Sequence, residues 1–355
     1  MINIEQLLKL MVAKGASDLH LKVPSSPVLR INGELQIQKD LPNLSAEDIE
    51  NIFASITTPH YKLIFEREQE LDFSYSVPGI ARLRVNVLRQ RGTLSIAFRL
   101  VPVEIPTIDE LGLPPIMKKL VIKPRGLILV TGHTGTGKST TLAAMLNYLN
   151  ENEKRNVITI EDPVEFLHRD EKCIVCQRDV GEDTHSFAIA LVRALRHDPD
   201  VLIVGEMRDL ETISAAITAA ETGHLVLGTL HTYDAPQTVD RMVDVFPPTQ
   251  QSQIRVEISQ VIEAVFSQVL IPRTNGGRVA AFEIMIATTA IRNLIREGKT
   301  HLLHSVMRTG SKDGMQTLDL ALEDLVKKGI VSREDALHQS SDPDLLMRSL
   351  NFVVA

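Results

Sequence analysis

Residues 132–139 read Gly-His-Thr-Gly-Thr-Gly-Lys-Ser and match the pattern G-x-x-x-x-G-K-[ST] at every fixed position. Glycines allow successive backbone N–H groups to turn inward around a phosphate chain without a Cβ clash. The ammonium group of Lys138 would reach the terminal phosphates of a nucleoside triphosphate, and the hydroxyl group of Ser139 would ligate Mg²⁺. The pattern therefore predicts a site for a nucleoside triphosphate and magnesium.

The residues on either side of this loop are those that a phosphate-binding loop requires. The apolar run 126–131 predicts the strand that leads into the loop, and apolar residues recur at helical spacing over 140–150. The positive N-terminal end of that helix would face the phosphates. A Gly-rich turn without a ligand is the alternative, and this context disfavours it. The residues predicted to contact the nucleotide are Gly132, His133, Thr134, Gly135, Thr136, Gly137, Lys138, Ser139 and Thr140.

Acidic residues stand at the ends of two further strand-like runs. Glu206 follows the apolar run 201–205, and Glu161 ends the run 157–161, which Pro163 stops. Ligands of parallel α/β sheets bind beyond the carboxyl ends of the strands, so both carboxylates should lie near the triphosphate. There they would share the magnesium ion and the attacking water. The sequence does not assign the magnesium ion to one carboxylate and the water to the other. The alternative is that both carboxylates are ordinary loop caps.

Two histidines flank the strand-like run 225–230. His224 and His231 are seven residues apart, so their side chains point to opposite faces of a straight strand and at most one faces the nucleotide. His231 lies at the carboxyl end of the strand. It is therefore the better candidate for a sensor of the γ-phosphate.

Arginines alternate with apolar residues over 82–87. Arg82 and Arg84 share one face of this predicted strand. They are either solvated strand residues or, in an oligomer, arginine fingers that reach the nucleotide of a neighbouring subunit.

Composition limits the classes of function. The chain has 355 residues, a net charge of −7 and a pI near 5.9, which argue against a nucleic acid partner. No apolar run reaches the 18 or so residues that cross a bilayer, so we expect a cytoplasmic protein without membrane insertion. The only cysteines, Cys173 and Cys176, form half of a typical zinc motif, and we interpret them as reduced, structural thiols.

The chain divides into four segments by pattern. Residues 1–98 read as a separate α/β domain, and prolines interrupt a linker at 99–113. Strands alternate with helices over 114–288, which predicts a parallel sheet with crossover helices. Residues 289–355 read as helical.

The motifs together resemble a known family. Segments 132–141, 158–166, 201–209 and 224–231 are similar to the Walker A, Asp-box, Walker B and His-box elements of the secretion ATPase superfamily. Residues 290–301 and 16–20 resemble signatures of the type IV pilus retraction ATPases, and the similarity spans the whole chain. His133 departs from the family, which usually has proline there. The resemblance implies a PAS-like N-terminal domain followed by a RecA-like P-loop domain with a helical C-terminal extension.

The resemblance also implies what the protein does. It implies a homohexamer that hydrolyses ATP with Mg²⁺ and acts on an inner-membrane pilus platform protein, so that the pilus retracts and drives twitching motility. It places the protein in the cytoplasm, at the inner face of the cytoplasmic membrane, and leaves open a cooperating paralogous ATPase. Arg292 and Arg296, one helical turn apart, would transmit the nucleotide state to a partner, with packing and a surface ion pair as the alternative.

Three other functions are alternatives to pilus retraction. An assembly-type pilus or secretion ATPase of the same superfamily usually has long extra N-terminal domains and often a four-cysteine module, which this sequence lacks. A nucleotide-gated ring without motor output would share the phosphate loop but perform no work. A nucleic-acid translocase is disfavoured by the acidic charge and the 4% of aromatic residues.

Overall fold

The structure is a computed structural model that describes residues 3–101 and 104–351. The chain divides into two compact units, Met1–Val103 and Glu104–Ala355. The predicted linker at 99–113 includes residues 102–103, which lie outside the described residues. Residues 1–2 of the predicted N-terminal domain and 352–355 of the predicted helical region lie outside them as well.

An antiparallel sheet and three helices make up the described part of the first unit. In chain order the elements are α1 (Ile4–Ala13), β1 (Asp18–Lys22), β2 (Val28–Ile31), β3 (Glu34–Ile37), α2 (Ala46–Ile56), α3 (Pro59–Glu68), β4 (Glu70–Val77), β5 (Ala81–Gln90) and β6 (Thr93–Leu100). The strand order is β3-β2-β1-β6-β5-β4, with antiparallel neighbours throughout. This is the PAS-like α/β domain that the resemblance implies. Strand β6 continues to Leu100, past the predicted domain end at residue 98.

Strand β5 has the two faces that its alternating sequence predicts. Leu83, Val85 and Val87 are at most 1% exposed, whereas Arg84 is exposed and Arg82 is half-buried. The apolar face packs into the core of the first unit with residues such as Ile96 and Phe98 of β6. Arg82 and Arg84 therefore lie on the face of β5 that points away from this core.

The second unit contains a seven-stranded sheet with helices on both faces. Its elements are α4 (Ile116–Val121), β7 (Gly126–Thr131), α5 (Lys138–Asn152), β8 (Asn156–Glu161), β9 (Ile174–Asp179), α6 (Phe187–Ala194), β10 (Val201–Val204), α7 (Leu210–Glu221), β11 (Leu225–Leu230), α8 (Ala235–Asp244), α9 (Pro248–Val261), β12 (Ile262–Pro272), β13 (Arg278–Ile286), α10 (Thr289–Arg296), α11 (Leu303–Thr309), α12 (Leu318–Lys327), α13 (Arg333–Gln339) and α14 (Pro343–Asn351). Two short 3-10 helices, Thr300–Leu302 and Ser311–Asp313, complete the described residues.

The sheet order is β13-β12-β7-β11-β10-β8-β9, and only β13 runs antiparallel to its neighbour. The parallel strands that the apolar runs predict at β7, β8, β10 and β11 are confirmed. Their side chains are buried alternately on the two faces: Leu127 and Leu129 enter one core, and Ile128 and Val130 the other. Burial on both faces explains why these strands read as continuous apolar runs. The sheet with its helices is the RecA-like P-loop domain of the prediction.

The long hairpin of β12 and β13 was not recognised in the sequence. Helix α9 passes directly into β12 between Val261 and Ile262, without a glycine or proline to mark the change. The helical pattern predicted after residue 288 is confirmed over the described residues. Within it, Ser332 caps α13 and Pro343 begins α14. Helices α12 to α14 pack against the hairpin through a separate small core.

Both cysteines are free thiols. Cys173 is buried, and its thiol lies 3.2 Å from the carbonyl oxygen of Glu153. Cys176 is exposed on β9. The structural interpretation therefore applies to Cys173.

Across residues 3–101 and 104–351, every helix is too short or too polar to traverse a lipid bilayer.

A buried carboxyl group links three elements of the second unit. Glu283 on β13 is 3% exposed, and its Oε1 accepts the backbone N–H of Ala235 at the start of α8 at 2.9 Å. Its Oε2 lies 3.5 Å from Nδ1 of His304 on α11, and Nε2 of His304 lies 3.8 Å from Asp234. Burial raises the pKa of Glu283 to about 7. The carboxylates of Asp234 and Glu283 raise the pKa of His304.

These pKa shifts predict that the second unit loses stability as pH rises. Folding raises the pKa of Glu283 above its ordinary value of 4.5. The stability that this group contributes is therefore complete below pH 4.5 and is lost as pH rises through about 7. The raised pKa of His304 acts in the same direction. We expect Glu283→Gln to reduce the drop in thermal midpoint between about pH 5 and pH 8 by about 4 °C, measured by calorimetry. The exposed Glu334→Gln is the control, and an unchanged drop in Glu283→Gln would contradict the assignment.

Candidate nucleotide-binding site

The loop between β7 and α5 has backbone angles that only glycine adopts easily. Gly132, Gly135 and Gly137 have φ values of 140°, 81° and 88°. A Cβ atom on Gly132 would lie 2.4 Å from the carbonyl oxygen of Gln268 on β12. The glycines of the motif are thus required both by the turn and by the close approach of a neighbouring strand.

The side chain of Lys138 lies against the loop backbone. Its Nζ donates hydrogen bonds of 2.8 Å to the carbonyl oxygens of Gly132 and His133. The residue is 9% exposed, and burial lowers its pKa while the nearby carboxylates of Glu206 and Glu165 oppose that shift. The ammonium group is therefore held where phosphate oxygens would meet the loop.

Most of the predicted site residues line one cavity of about 500 Å³ at the carboxyl edge of the sheet. Those that line it are Thr134, Gly135, Gly137, Lys138, Ser139, Thr140, Glu161, Glu206 and His231. The other three loop residues shape the loop instead. Gly132 is buried against Gln268, His133 contacts the ring of Tyr233 edge-on at 4.1 Å between centroids, and Thr136 donates to the carbonyl oxygen of His133.

Glu206 is held by two cationic or proton-donating side chains. Its Oε1 lies 2.8 Å from Nε2 of His231 and also pairs with the guanidinium group of Arg208. Burial and the charge of Lys138 lower the pKa of His231, so its imidazole is neutral at neutral pH. Its single ring N–H can then donate a hydrogen bond to Glu206. His224 lies at the opposite end of β11, where its Nδ1 is 2.9 Å from the carbonyl oxygen of Ala219. Of the two histidines, His231 is thus the one at the cavity.

Glu161 is held by neutral donors. Its Oε1 accepts hydrogen bonds from the Thr159 hydroxyl at 2.6 Å and from Nε2 of Gln177 at 3.1 Å. Burial raises the pKa of Glu161, against the opposing effect of these hydrogen bonds. The two candidate carboxylates therefore stand in different electrostatic surroundings.

Gln268 is a site residue that the sequence did not reveal. It is 3% exposed on β12, where Nε2 donates to the carbonyl oxygen of Thr136 at 2.7 Å and Oε1 accepts the hydroxyl group of Thr141 at 2.8 Å. It thus fastens the phosphate loop and the helix behind it to the neighbouring strand. Since β12 itself was not predicted, no sequence signal pointed to this contact.

Oxygen donors that suit magnesium lie together in the cavity. Ser139 and Glu206 both line it, as does Glu161. Mg²⁺ prefers hard oxygen ligands and is commonly held by one or two protein oxygens together with phosphates of the substrate. The side chains present fit that ion.

The four predicted arginines do not line the cavity. Arg82 and Arg84 lie on β5 of the first unit, and their role as arginine fingers remains a prediction. Arg296 is exposed at the end of α10. Arg292, on the same helix, contacts the last turn of α9. Its guanidinium group donates hydrogen bonds to the carbonyl oxygens of Ser259 at 2.9 Å and of Gln260 at 2.8 Å.

Arg292 also forms an ion pair within the second unit. Its Nη2 lies 2.9 Å from Oε1 of Glu263, whose other oxygen pairs with Lys123. The side chain of Arg292 is 23% exposed, so the ion pair is half-buried rather than on the surface. These contacts fasten α10 to the end of α9 and the start of β12.

The phosphate loop, the carboxyl-edge acids and the mixed seven-stranded sheet define a RecA-like P-loop domain, joined to a PAS-like domain in one chain. The family model described as "Type II/IV secretion system protein" matches residues 2–338. The chain belongs to this family.

Curated relatives and a solved structure match nearly the whole chain. It is 49% identical to the "Type IV pilus retractation ATPase PilT" of Pseudomonas aeruginosa, over 97% of this chain and 99% of that protein. It is 47% identical to the "Twitching motility protein" of Neisseria gonorrhoeae, over 90% of this chain and 85% of that protein. The crystal structure of the pilus retraction motor PilT with bound ADP has a TM-score of 0.91 and 46% identity, over 98% of this chain and all of that one.

The contacts of Gln268 predict a specific loss of nucleotide affinity. Gln268→Leu keeps the buried volume but removes both hydrogen bonds that fasten the loop, leaving the Thr141 hydroxyl and the Thr136 carbonyl without this partner. We expect ADP to bind about tenfold more weakly in calorimetry. Gln253→Leu, an exposed glutamine on α9, is the control and should bind ADP as the wild type does. Equal affinity in all three proteins would show that the clamp is not needed.

Proposed function

We propose that the chain is a subunit of a hexameric motor that hydrolyses ATP to ADP and phosphate and powers retraction of type IV pili. The observation that carries this proposal is the meeting of Lys138, Ser139, Glu161, Glu206 and His231 around one cavity beside the glycine loop. A loop that cradles phosphates, an oxygen set for magnesium and a carboxylate for water are the parts that phosphoryl transfer to water needs. The identity to retraction ATPases over nearly the whole chain supports the biological role.

We infer different tasks for the two carboxylates. Glu206 accepts a hydrogen bond from His231 and pairs with Arg208, so its Oε1 is already engaged, and we assign Glu206 to order the metal with Ser139. Glu161 is engaged by neutral donors, with Thr159 and Gln177 both on Oε1, and burial raises its pKa, so we assign it to receive the proton of the attacking water. When bound, the magnesium ion would neutralise charge on the phosphates.

His231 is suited to sense the terminal phosphate. It lines the cavity beside Lys138 and is hydrogen-bonded to Glu206. A change at the γ-phosphate would therefore reach the strand end that carries Thr232 and, through it, the N-terminus of α8. Thr232 is hydrogen-bonded to Thr238 of that helix at 2.7 Å.

The partners belong to the same proposal. A homohexamer would supply Arg82 or Arg84 to a neighbouring nucleotide, and the ring would act on an inner-membrane platform protein from the cytoplasmic side. A paralogous ATPase could share this work. The retraction role is favoured over pilus assembly because two relatives that are 49% and 47% identical over at least 90% of this chain are a retraction ATPase and a twitching motility protein.

A set of substitutions in the cavity tests the enzymatic part. Lys138→Ala and Glu161→Gln should each lower ATP turnover by at least about 100-fold, because each removes a group that acts on the transferring phosphoryl group or on water. Glu161→Gln should still bind ATP, whereas Lys138→Ala should bind it weakly. Phosphate release and calorimetry measure the two quantities. Glu211→Gln, an exposed carboxylate on α7, is the control. Undiminished turnover in Lys138→Ala would refute the site.

Substitutions at the two arginines of α10 should differ in their effect on ATP turnover. Arg296 is exposed, so Arg296→Ala should keep ATP turnover within about twofold and abolish pilus retraction, if this arginine passes the nucleotide state to a partner. Arg292→Ala removes the contacts with α9 and Glu263 and should cost about 2 kcal/mol of stability, lowering turnover and retraction together. Thermal unfolding, phosphate release and twitching assays separate the cases. Normal retraction in Arg296→Ala would contradict the coupling role.

A further inference from the structure

A glutamine on the edge strand β9 joins Glu161 to the loop that follows it. Nε2 of Gln177 donates to Oε1 of Glu161 at 3.1 Å and to the carbonyl oxygen of Phe166 at 2.9 Å. Its Oε1 accepts the backbone N–H of His168 at 2.9 Å. One amide side chain therefore contacts both the candidate base and the backbone of two residues that line the same cavity.

The strand register explains why Gln177 can reach Glu161. Strands β8 and β9 are parallel, with Thr159 opposite Gln177 and Glu161 opposite Asp179. Residues two apart on a strand share a face, so all four side chains lie on one face of the sheet edge. Asp179 is 1% exposed and accepts the backbone N–H of Val164 at 2.5 Å. Strand β9 thus supports both Glu161 and the loop at 162–168.

Two of the hydrogen bonds to the Glu161 carboxylate reach the same oxygen, and the backbone N–H of Glu165 supplies a further one to this group. Thr159 and Gln177 both donate to Oε1, so Oε2 is engaged by neither. With Oε1 fixed at two points, the carboxylate plane cannot rotate freely about its terminal torsion, which is otherwise broad. Orientation matters because a displacement of about 1 Å at a reacting group can cost about 100-fold in rate.

We propose that Gln177 is a positioning residue that holds Glu161 with Oε2 toward the attacking water. This inference rests on the proposed function, in which Glu161 receives the proton of that water. Gln177 itself touches neither phosphate nor metal in this scheme. Its effect is on the rate of the chemical step and passes through Glu161, while nucleotide affinity depends on the phosphate loop on the other side of the cavity.

The first test is Gln177→Leu, which keeps a side chain of similar bulk but removes the donor and the acceptor. We expect kcat for ATP hydrolysis to fall by about 10- to 100-fold, with KM for ATP and the Kd for ADP within about twofold of wild type. Cys176→Ala is the matched control, because Cys176 is exposed, adjoins Gln177 on the same strand and faces the other side. A kcat within about twofold of wild type in Gln177→Leu, or a parallel loss of ADP affinity, would overturn the inference.

A double-mutant cycle separates positioning from a structural role. Glu161→Asp shortens the acid and moves its oxygens out of reach of Gln177, so adding Gln177→Leu should lower the remaining rate by less than about twofold. A structural role would lower the rate equally in both backgrounds, and that result would also overturn the inference. If the wild type itself does not hydrolyse ATP, the proposed function fails and this inference fails with it. If Glu161→Gln is inactive while Gln177→Leu is normal, only the positioning role is lost.

Discussion

The close approach of the phosphate loop to strand β12 is the constraint on which the rest of the second unit depends. Gly132 leaves no room for a Cβ atom beside the carbonyl oxygen of Gln268, and the side chain of Gln268 then fastens the loop from the same strand. This contact fixes the loop against the sheet, so the ammonium group of Lys138 and the N-terminus of α5 face the carboxyl edge. In the function that we propose, the acids at that edge can act on a triphosphate only because the loop is held there.

The two carboxylates at the edge show how environment separates similar groups. Glu206 lies between Arg208 and His231, whereas Glu161 is held by the hydroxyl group of Thr159 and the amide of Gln177. Burial raises the pKa of Glu161 and so favours uptake of a proton there, whereas Oε1 of Glu206 is engaged by the guanidinium group of Arg208 and the neutral imidazole of His231. The division of labour that we propose follows from this difference.

The C-terminal helices are connected to the core by buried polar contacts as well as by apolar packing. Arg292 binds the end of α9 and Glu263, and Glu283 joins the start of α8 to His304 of α11. Buried charges that lose a partner are costly, so these contacts allow only a few relative positions of the helices. A movement that begins at His231 or α8 would therefore reach the C-terminal helices directly.

Local features of this protein could be predicted from the amino-acid sequence alone. The glycine pattern predicted the loop, the apolar runs predicted strands β7, β8, β10 and β11, and the positions of Glu161, Glu206 and His231 at strand ends predicted that they would meet, because carboxyl ends of parallel strands share an edge. Resemblance to a family added the PAS-like domain. The residues that support these groups became identifiable only from contacts in the folded chain. Gln268 belongs to β12, which pairs with the distant strand β7, and Gln177 reaches Glu161 across the pairing of β9 with β8. A glutamine within a strand carries no local pattern. In the same way, the α10 sequence placed both Arg292 and Arg296 on a polar face, and only the packing of α9 beside it showed that one is bound and the other exposed.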